Sequence, residues 1–192
     1  MQWQPSHISV VILAGGQSSR MGKNKALLMR EGKTQLQHCV DLMTEMGFAE
    51  VKVSGQYHGY QCVLDLHPQL GPLAGIEAGV LNAGSYCTGL LVLPVDMPLL
   101  SKEEVRELLA QANAQGGYYD EALFPMLLAL NDSLTQYLAA LLQQDNPKLR
   151  SLYQLLKHVN CKKVVANAQQ FSRLANANTP EQWQSLTQMG GG

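Results

Sequence analysis

An apolar segment, a glycine pair and several basic residues follow one another from Val11 to Leu28, in the order V-I-L-A-G-G-Q-S-S-R-M-G-K-N-K-A-L-L. Because Gly15 and Gly16 lack a Cβ atom, the backbone can turn sharply there and bring its N–H groups against an anion. The basic residues that follow are Arg20, Lys23 and Lys25. The segment predicts a phosphate-binding loop for a nucleoside triphosphate, although a plain turn followed by solvated charges has the same composition.

Two common phosphate-binding motifs do not fit this segment. A P-loop has four residues between its glycines and a Lys followed by Ser or Thr. Here five residues separate Gly16 from Gly22, and Asn24 follows Lys23. The dinucleotide-binding fingerprint has alternating glycines, whereas Gly15 and Gly16 are adjacent. ATPase and dehydrogenase functions are therefore disfavoured.

Length and charge restrict the remaining possibilities. A chain of 192 residues with 46% hydrophobic residues fits one domain over 1–192, with 190–192 as a frayed tail. A net charge of −1 does not favour a nucleic-acid partner or an electrostatic membrane anchor. The sequence shows neither a signal peptide nor an apolar run of membrane-spanning length. We therefore expect a cytoplasmic protein.

The cysteines and histidines do not form a recognisable site. No Cys-x-x-Cys pair is present, and the histidines lack metalloprotease spacing. A zinc site, a dithiol centre and a Cys or Ser nucleophile with a histidine base are all disfavoured by these spacings.

Short apolar runs alternate with amphipathic stretches along the chain. Such alternation predicts an α/β fold: a Rossmann-like, doubly wound, mostly parallel sheet between two helical layers. The predicted strands are 8–14, 50–54, 61–64, 89–95, 123–130 (broken at Pro125) and 162–166. The predicted helices are 34–46, 73–83, one that follows a capping box at Ser101 and Glu104, 132–143, 148–159 and one that begins near Pro180.

Polar residues follow three of the predicted strands at their carboxyl ends. The glycine pair ends the first strand, Asp65 follows the strand at 61–64, and Asp96 follows the strand at 89–95. Ligands of doubly wound sheets bind beyond the carboxyl ends of the strands. We therefore expect these three positions to share one edge of the sheet.

Asp96 is suited to hold Mg²⁺, which proteins bind through one or two carboxylates together with substrate phosphates. An Asp before a Pro-containing turn is equally suited to capping that turn. Lys25 and Arg20 could stabilise the charge that develops during nucleotidyl transfer. Gly71, in G-P-L-A-G, opens a helix at which a base or ribose could approach the backbone, or is an ordinary helix start.

Four segments together resemble the molybdenum cofactor guanylyltransferases, a family of small nucleoside triphosphate transferases. They occur in the family's order and span nearly the whole chain. The segments are 13–28 (L-A-G-G-Q-S-S-R-M-G-K-N-K-A-L-L), 71–75 (G-P-L-A-G), 94–98 (P-V-D-M-P) and 176–181 (N-A-N-T-P-E).

The resemblance implies transfer of GMP from GTP to molybdopterin or molybdenum cofactor, with Mg²⁺ as the cofactor and pyrophosphate as the second product. The candidate catalytic residues are Lys25, Asp96 and Arg20, the last of these predicted from its charge. The resemblance places the metal at Asp96 and Asn178. It also implies transient contact with cofactor biosynthesis or acceptor proteins. The nucleotide-binding residues that it implies are Leu13, Ala14, Gly15, Gly16, Lys25, Ser54, Asp65, Gly71 and Asp96.

Two positions depart from the family pattern, and three alternatives remain open. Ser54 stands where the family has a guanine-binding Asn, and Phe124 stands where a polar residue often precedes the proline. The alternatives are nucleotidyl transfer to another phosphorylated small molecule, cytidylyl transfer to the same pterin, and a cofactor carrier without turnover. The L-A-G-G and G-P-L-A-G segments favour guanine over cytosine.

Overall fold

A computed structural model describes residues 3–15 and 24–189 of the chain. Seven strands of these residues form one sheet, in the order β5-β4-β1-β6-β8-β7-β9. The strands are β1 (Ile8–Leu13), β4 (Glu50–Ser54), β5 (Cys62–Val63), β6 (Gly89–Pro94), β7 (Gly116–Tyr119), β8 (Met126–Ala129) and β9 (Lys162–Val164). Strand β8 runs antiparallel to both of its neighbours, and the other pairings are parallel. The predicted α/β class with a mostly parallel sheet is confirmed.

The helices of the described residues are α1 (Gln35–Glu45), α2 (Pro72–Asn82), α3 (Lys102–Gln111), α4 (Asp132–Leu142), α5 (Leu152–Val159), α6 (Ala168–Arg173) and α7 (Pro180–Met189). All but the last residue of both β1 and β6 are buried. Because successive strand residues point to opposite faces, this burial means that both faces of the sheet are covered.

Helix starts are determined by local hydrogen bonds. The predicted capping box of α3 is present: Ser101 N donates to Glu104 Oε2 at 3.1 Å, and the Ser101 hydroxyl accepts from backbone N–H in the first turn of the helix. Helix α5 begins after Ser151, whose hydroxyl accepts from Gln154 N at 3.3 Å, so the prediction of a start at Lys148 was four residues too early.

Several elements were not predicted. A two-stranded hairpin, β2 (Met29–Arg30) and β3 (Lys33–Thr34), turns through Glu31 and Gly32, both at positive φ. Strands of two residues are too short to show alternating polarity. Strand β7 and helix α6 were also missed, and β8 begins after Pro125, so the strand predicted at 123–130 is shorter than expected.

No helix in the described part of the chain is both long and apolar enough to cross a membrane.

Candidate functional site

Lys25, Asp96 and Asn178 meet at the carboxyl edge of the sheet. The Lys25 ammonium donates to Asp96 Oδ2 at 2.8 Å and to Asn178 Oδ1 at 2.8 Å. The Lys25 and Asp96 side chains are 15% and 19% exposed, so water screens this ion pair less than one on the open surface. The contact joins three segments that lie far apart in the sequence.

Backbone contacts position each member of this group. Asn24 caps a short 3-10 turn, Lys25–Leu27, by accepting from Ala26 N at 3.0 Å. Asp96 follows β6, and its carbonyl oxygen accepts from Ala177 N at 2.8 Å. The segment before α7 is therefore attached directly to the residue that supplies the carboxylate.

Within the ranges that the structure describes, one oxygen of Asp96 lacks a hydrogen-bond partner. Asp96 Oδ1 is shielded from solvent and has no hydrogen bond among the described residues. A buried carboxylate oxygen without a donor is unfavourable unless a ligand satisfies it. The neighbouring Asn178 Oδ1 adds a second oxygen of the kind that Mg²⁺ prefers. These residues fit a divalent cation.

Within the described residues, no group of three or more His, Cys, Asp and Glu side chains forms a metal cluster. A cation at Asp96 would therefore need further ligands from substrate phosphates or water, as is usual for Mg²⁺.

The end of β1 lies against Ser54 and Asp65. Ser54 Oγ donates to Asp65 Oδ1 at 2.7 Å, and Leu13 is paired in register with Ser54. A Cβ atom on Gly15 would lie 3.4 Å from Ser54 Oγ and 3.7 Å from Asp65 Oδ2. The expectation that Gly15, Asp65 and Asp96 share the carboxyl edge of the sheet agrees with this geometry.

Gly71 and Gly75 bring the start of α2 against the same strand ends. Gly71 has φ +62° at the position before the helix, where a side chain would be strained. A Cβ atom on Gly75 would lie 2.5 Å from Leu13 Cδ2 and 3.2 Å from Ser54 Oγ. The small residues of G-P-L-A-G therefore permit close approach of the helix to β1 and β4.

Tyr57 is a site residue that the sequence analysis missed. Its hydroxyl donates to Ala14 O at 2.8 Å and accepts from Asn24 Nδ2 at 3.1 Å. It therefore connects the end of β1 with the turn that carries Lys25. Tyr57 lies in a loop outside every motif, so no local signal in the sequence could have indicated this role.

Several predicted positions lie outside the described residues, and one lies in the hydrophobic core. Gly16, Arg20 and Lys23 belong to residues 16–23, which lie outside the described residues, so the roles predicted for them stay predictions. Phe124 is buried in the hydrophobic core.

The fold and the order of these segments agree with a known family. The model of the MobA-like NTP transferase domain matches residues 10–161. The chain belongs to this family. It is therefore a nucleotidyltransferase.

Full-length relatives are also similar. The chain is 39% identical over 176 residues to a molybdenum cofactor guanylyltransferase of Xanthomonas euvesicatoria pv. vesicatoria (strain 85-10), with 92% of each chain covered. It is 32% identical to a probable molybdenum cofactor guanylyltransferase of Bacillus cereus (strain Q1), covering 90% of this chain and 92% of that protein.

Solved structures share the fold at low identity. A nucleotidyl transferase from Methanothermobacter thermautotroptrophicus aligns with a TM-score of 0.74 and 18% identity, covering 96% of this chain and 97% of that one. Molybdopterin-guanine dinucleotide biosynthesis protein A from Archaeoglobus fulgidus aligns with a TM-score of 0.66 and 20% identity, covering 94% and 97%.

Proposed function

We propose that this protein transfers GMP from GTP to the terminal phosphate of molybdopterin, or of its molybdenum-loaded form, and releases pyrophosphate. The proposal is supported by similarity over nearly the full length to molybdenum cofactor guanylyltransferases. The observation that carries it is the Lys25 ammonium held between Asp96 and Asn178 at the edge of the sheet. Because GTP is the donor, we propose the cytoplasm as the site of the reaction.

Base recognition is assigned to the end of β1 and to Asp65. A carboxylate accepts hydrogen bonds only, and the edge of guanine offers adjacent N1–H and N2–H donors. Ser54 already donates to Asp65 Oδ1 and so fixes the orientation of the carboxylate. The backbone of Leu13, Ala14 and Gly15 completes the base site in this proposal, and Gly71 opens the helix beside it.

The metal site is assigned to Asp96 and Asn178. When bound there, Mg²⁺ would neutralise negative charge on the triphosphate as pyrophosphate leaves. The unpartnered Asp96 Oδ1 supports this assignment.

The reaction forms one bond from an acceptor phosphate oxygen to the α-phosphorus and breaks the bond from that phosphorus to the β-phosphate oxygen. The attacking phosphate is already ionised at neutral pH, so the reaction does not require a general base. Lys25 stabilises the negative charge that develops on the phosphates, and the predicted cation Arg20 would assist it. Loss of one such electrostatic group lowers kcat by about 10²- to 10³-fold.

The test is calorimetric titration of the purified protein with GTP, CTP and ATP in Mg²⁺, followed by pyrophosphate release with molybdopterin. Lys25→Ala and Asp96→Ala should weaken GTP binding and lower the rate of release. Lys157→Ala is the matched control, because Lys157 is exposed on α5. This control should behave as wild type.

Each other outcome points to one of the alternatives. Binding of GTP without pyrophosphate release would favour another phosphorylated acceptor or a carrier role. Preference for CTP would favour cytidylyl transfer to the same pterin. Unchanged activity in both site variants would refute the proposed roles of Lys25 and Asp96.

A further inference from the structure

The Arg30 side chain crosses from the β2–β3 hairpin to the loop that follows Asp96. Arg30 Nη1 donates to Pro98 O at 2.7 Å, between residues that are 68 positions apart. Arg30 lies outside the four sequence segments that mark the candidate site. Its contact nevertheless lies next to the candidate site, because Pro98 is two residues beyond Asp96.

Two contacts therefore join the same two segments. One is the Lys25–Asp96 ion pair, and the other is the Arg30–Pro98 hydrogen bond. Lys25 precedes Arg30 by only five residues, through the short turn Lys25–Leu27. A shift of Arg30 relative to Pro98 would consequently change how Lys25 meets Asp96.

The hairpin that carries Arg30 is fixed to α1. His38 Nε2 contacts Arg30 O at 2.8 Å, and Gln35 N donates to Leu28 O at 2.8 Å. The backbone of Arg30 is thereby held by a helix of the domain core. Because the backbone of Arg30 is held in this way, its side chain can fix the position of the loop after β6.

Arg30 is half-buried, and the placement of its polar atoms is not explained by stability alone. Its Nε is shielded from solvent and has no hydrogen-bond partner in the part of the chain that the structure describes, and the same is true of the Oε1 atom of Gln35. Both residues line a cavity of about 220 Å³ together with Met97 and Pro98. Buried polar atoms without partners lower stability. Such a cost is expected where a side chain is retained for its effect on a functional site.

We propose that Arg30 is a positioning residue that sets the placement of Lys25 relative to Asp96. This inference rests on the proposed function, because Lys25 and Asp96 carry the chemistry there. Arg30 itself does not touch the reacting atoms. Its effect passes through the Pro98 carbonyl and the loop that ends β6.

The test compares Arg30→Met, Arg30→Lys and the control Arg106→Met, since Arg106 is exposed on α3. Because small misplacements of catalytic groups cost up to about 100-fold in rate, we expect Arg30→Met to lower kcat by about 10- to 100-fold. The KM for GTP should rise by a smaller factor than kcat falls, because the proposed base contacts at Asp65 are separate from Lys25 and Asp96. Arg30→Lys should recover part of kcat, since an ammonium can donate to Pro98 O.

A double-mutant cycle separates positioning from general stability. In a Lys25→Met background, Arg30→Met should lower kcat by less than about twofold, because the group that it positions is already absent. Full additivity of the two effects would overturn the proposal. So would an Arg30→Met protein that loses thermal stability but keeps the wild-type kcat.

Binding of Mn²⁺ without nucleotide, followed by electron paramagnetic resonance, provides a readout that does not depend on turnover. Arg30→Met should change the Mn²⁺ affinity severalfold, whereas Arg106→Met should not. If the wild-type protein fails to release pyrophosphate with GTP and molybdopterin, the proposed function fails. The Mn²⁺ comparison then decides the role of Arg30, and equal affinities would overturn it.

Discussion

Replacing Gly75 by Ala tests whether the start of α2 forms part of the nucleotide site. The new Cβ atom would lie 2.5 Å from Leu13 Cδ2 and 3.2 Å from Ser54 Oγ. The Leu13 side chain must therefore shift, and Ser54, which holds Asp65 by a 2.7 Å hydrogen bond, must give by a few tenths of an ångström. We expect the substitution to disturb the proposed guanine contacts.

The chain also provides a matched control one turn further along α2. A Cβ atom on Gly79 would lie 2.9 Å from Val11 Cγ1 and 3.1 Å from Leu90 Cδ2. The nearest contact is longer than the 2.5 Å at Gly75, but it is still too short for a Cβ atom, and Val11 and Leu90 are buried core residues. Gly79→Ala should therefore strain the packing of α2 without touching Ser54 or Asp65.

The stability cost follows from two opposing effects. Overpacking lowers the free energy of unfolding by about 1 to 3 kcal/mol, whereas replacing Gly by Ala within a helix raises it by about 1 kcal/mol. Each variant should therefore lose about 1 kcal/mol, which lowers Tm by about 2 to 4 °C in a chain of this size. Weakening of GTP binding by about 1.4 kcal/mol, or tenfold, is expected for Gly75→Ala alone.

The assays are thermal unfolding and calorimetric titration with GTP at a temperature well below both transitions. Similar losses in Tm with weaker GTP binding only in Gly75→Ala would support the reasoning. Equal weakening of GTP binding in both variants would refute it, because the effect would then arise from general loosening of α2. Wild-type GTP affinity in Gly75→Ala would exclude the start of α2 from the site.

Three further predictions concern single side chains. Tyr57→Phe removes the hydrogen bond to Ala14 O. We expect GTP binding, measured by titration, to weaken about fivefold, a loss of about 1 kcal/mol. An unchanged GTP affinity would contradict a role of Tyr57 in shaping the nucleotide site. Exposed Cys62 should react rapidly with a thiol reagent at pH 8, whereas Cys39 should not, because burial raises the pKa of the Cys39 thiol to about 12. The Cys62→Ser variant should lose this fast phase of the reaction. Hydrogen bonds, chiefly from Lys52, outweigh the burial of Glu50 and hold the pKa of its carboxyl below the ordinary value. The ionised Glu50 therefore stabilises the fold above pH 4.5, and this stabilisation is lost as the pH falls below that value. Urea unfolding of Glu50→Gln should accordingly show a smaller loss of stability on acidification than wild type, and an identical loss would count against this explanation.

The central strands and the early helices could be predicted because their apolar patterns are strong. Apart from Ser9, strands β1 and β6 are apolar throughout, and both were predicted to within one residue at their ends. Strand β7 was missed because its first two residues are Gly116 and Gly117, which have no side chain to reveal a pattern. A Cβ atom on Gly116 would lie 2.0 Å from Leu127 O, so glycine is required there by the close approach of β8.

The site was predictable where residues follow strands, and not where loops meet. Asp65 and Asp96 could be placed at one edge because parallel strands end on the same side of a sheet. Tyr57 and Arg30 contact backbone carbonyls of residues far away in the sequence. Such contacts depend on the path of the chain between elements, which neither residue type nor spacing reveals.

The contact between Lys25 and Asn178 has a consequence for the order of events on the ribosome. These residues are separated by 153 positions. Translation at about 5 to 20 residues per second delivers the second partner about 8 to 30 s after the first. A nascent chain can therefore assemble β1, β4 and β6, and pair Lys25 with Asp96, well before Ala177 and Asn178 emerge. Asn178, the proposed amide ligand, therefore emerges after all seven strands of the sheet have been synthesised, since β9 ends at Val164. The proposed base contacts on β1 and Asp65 precede the proposed phosphate site in the order of synthesis.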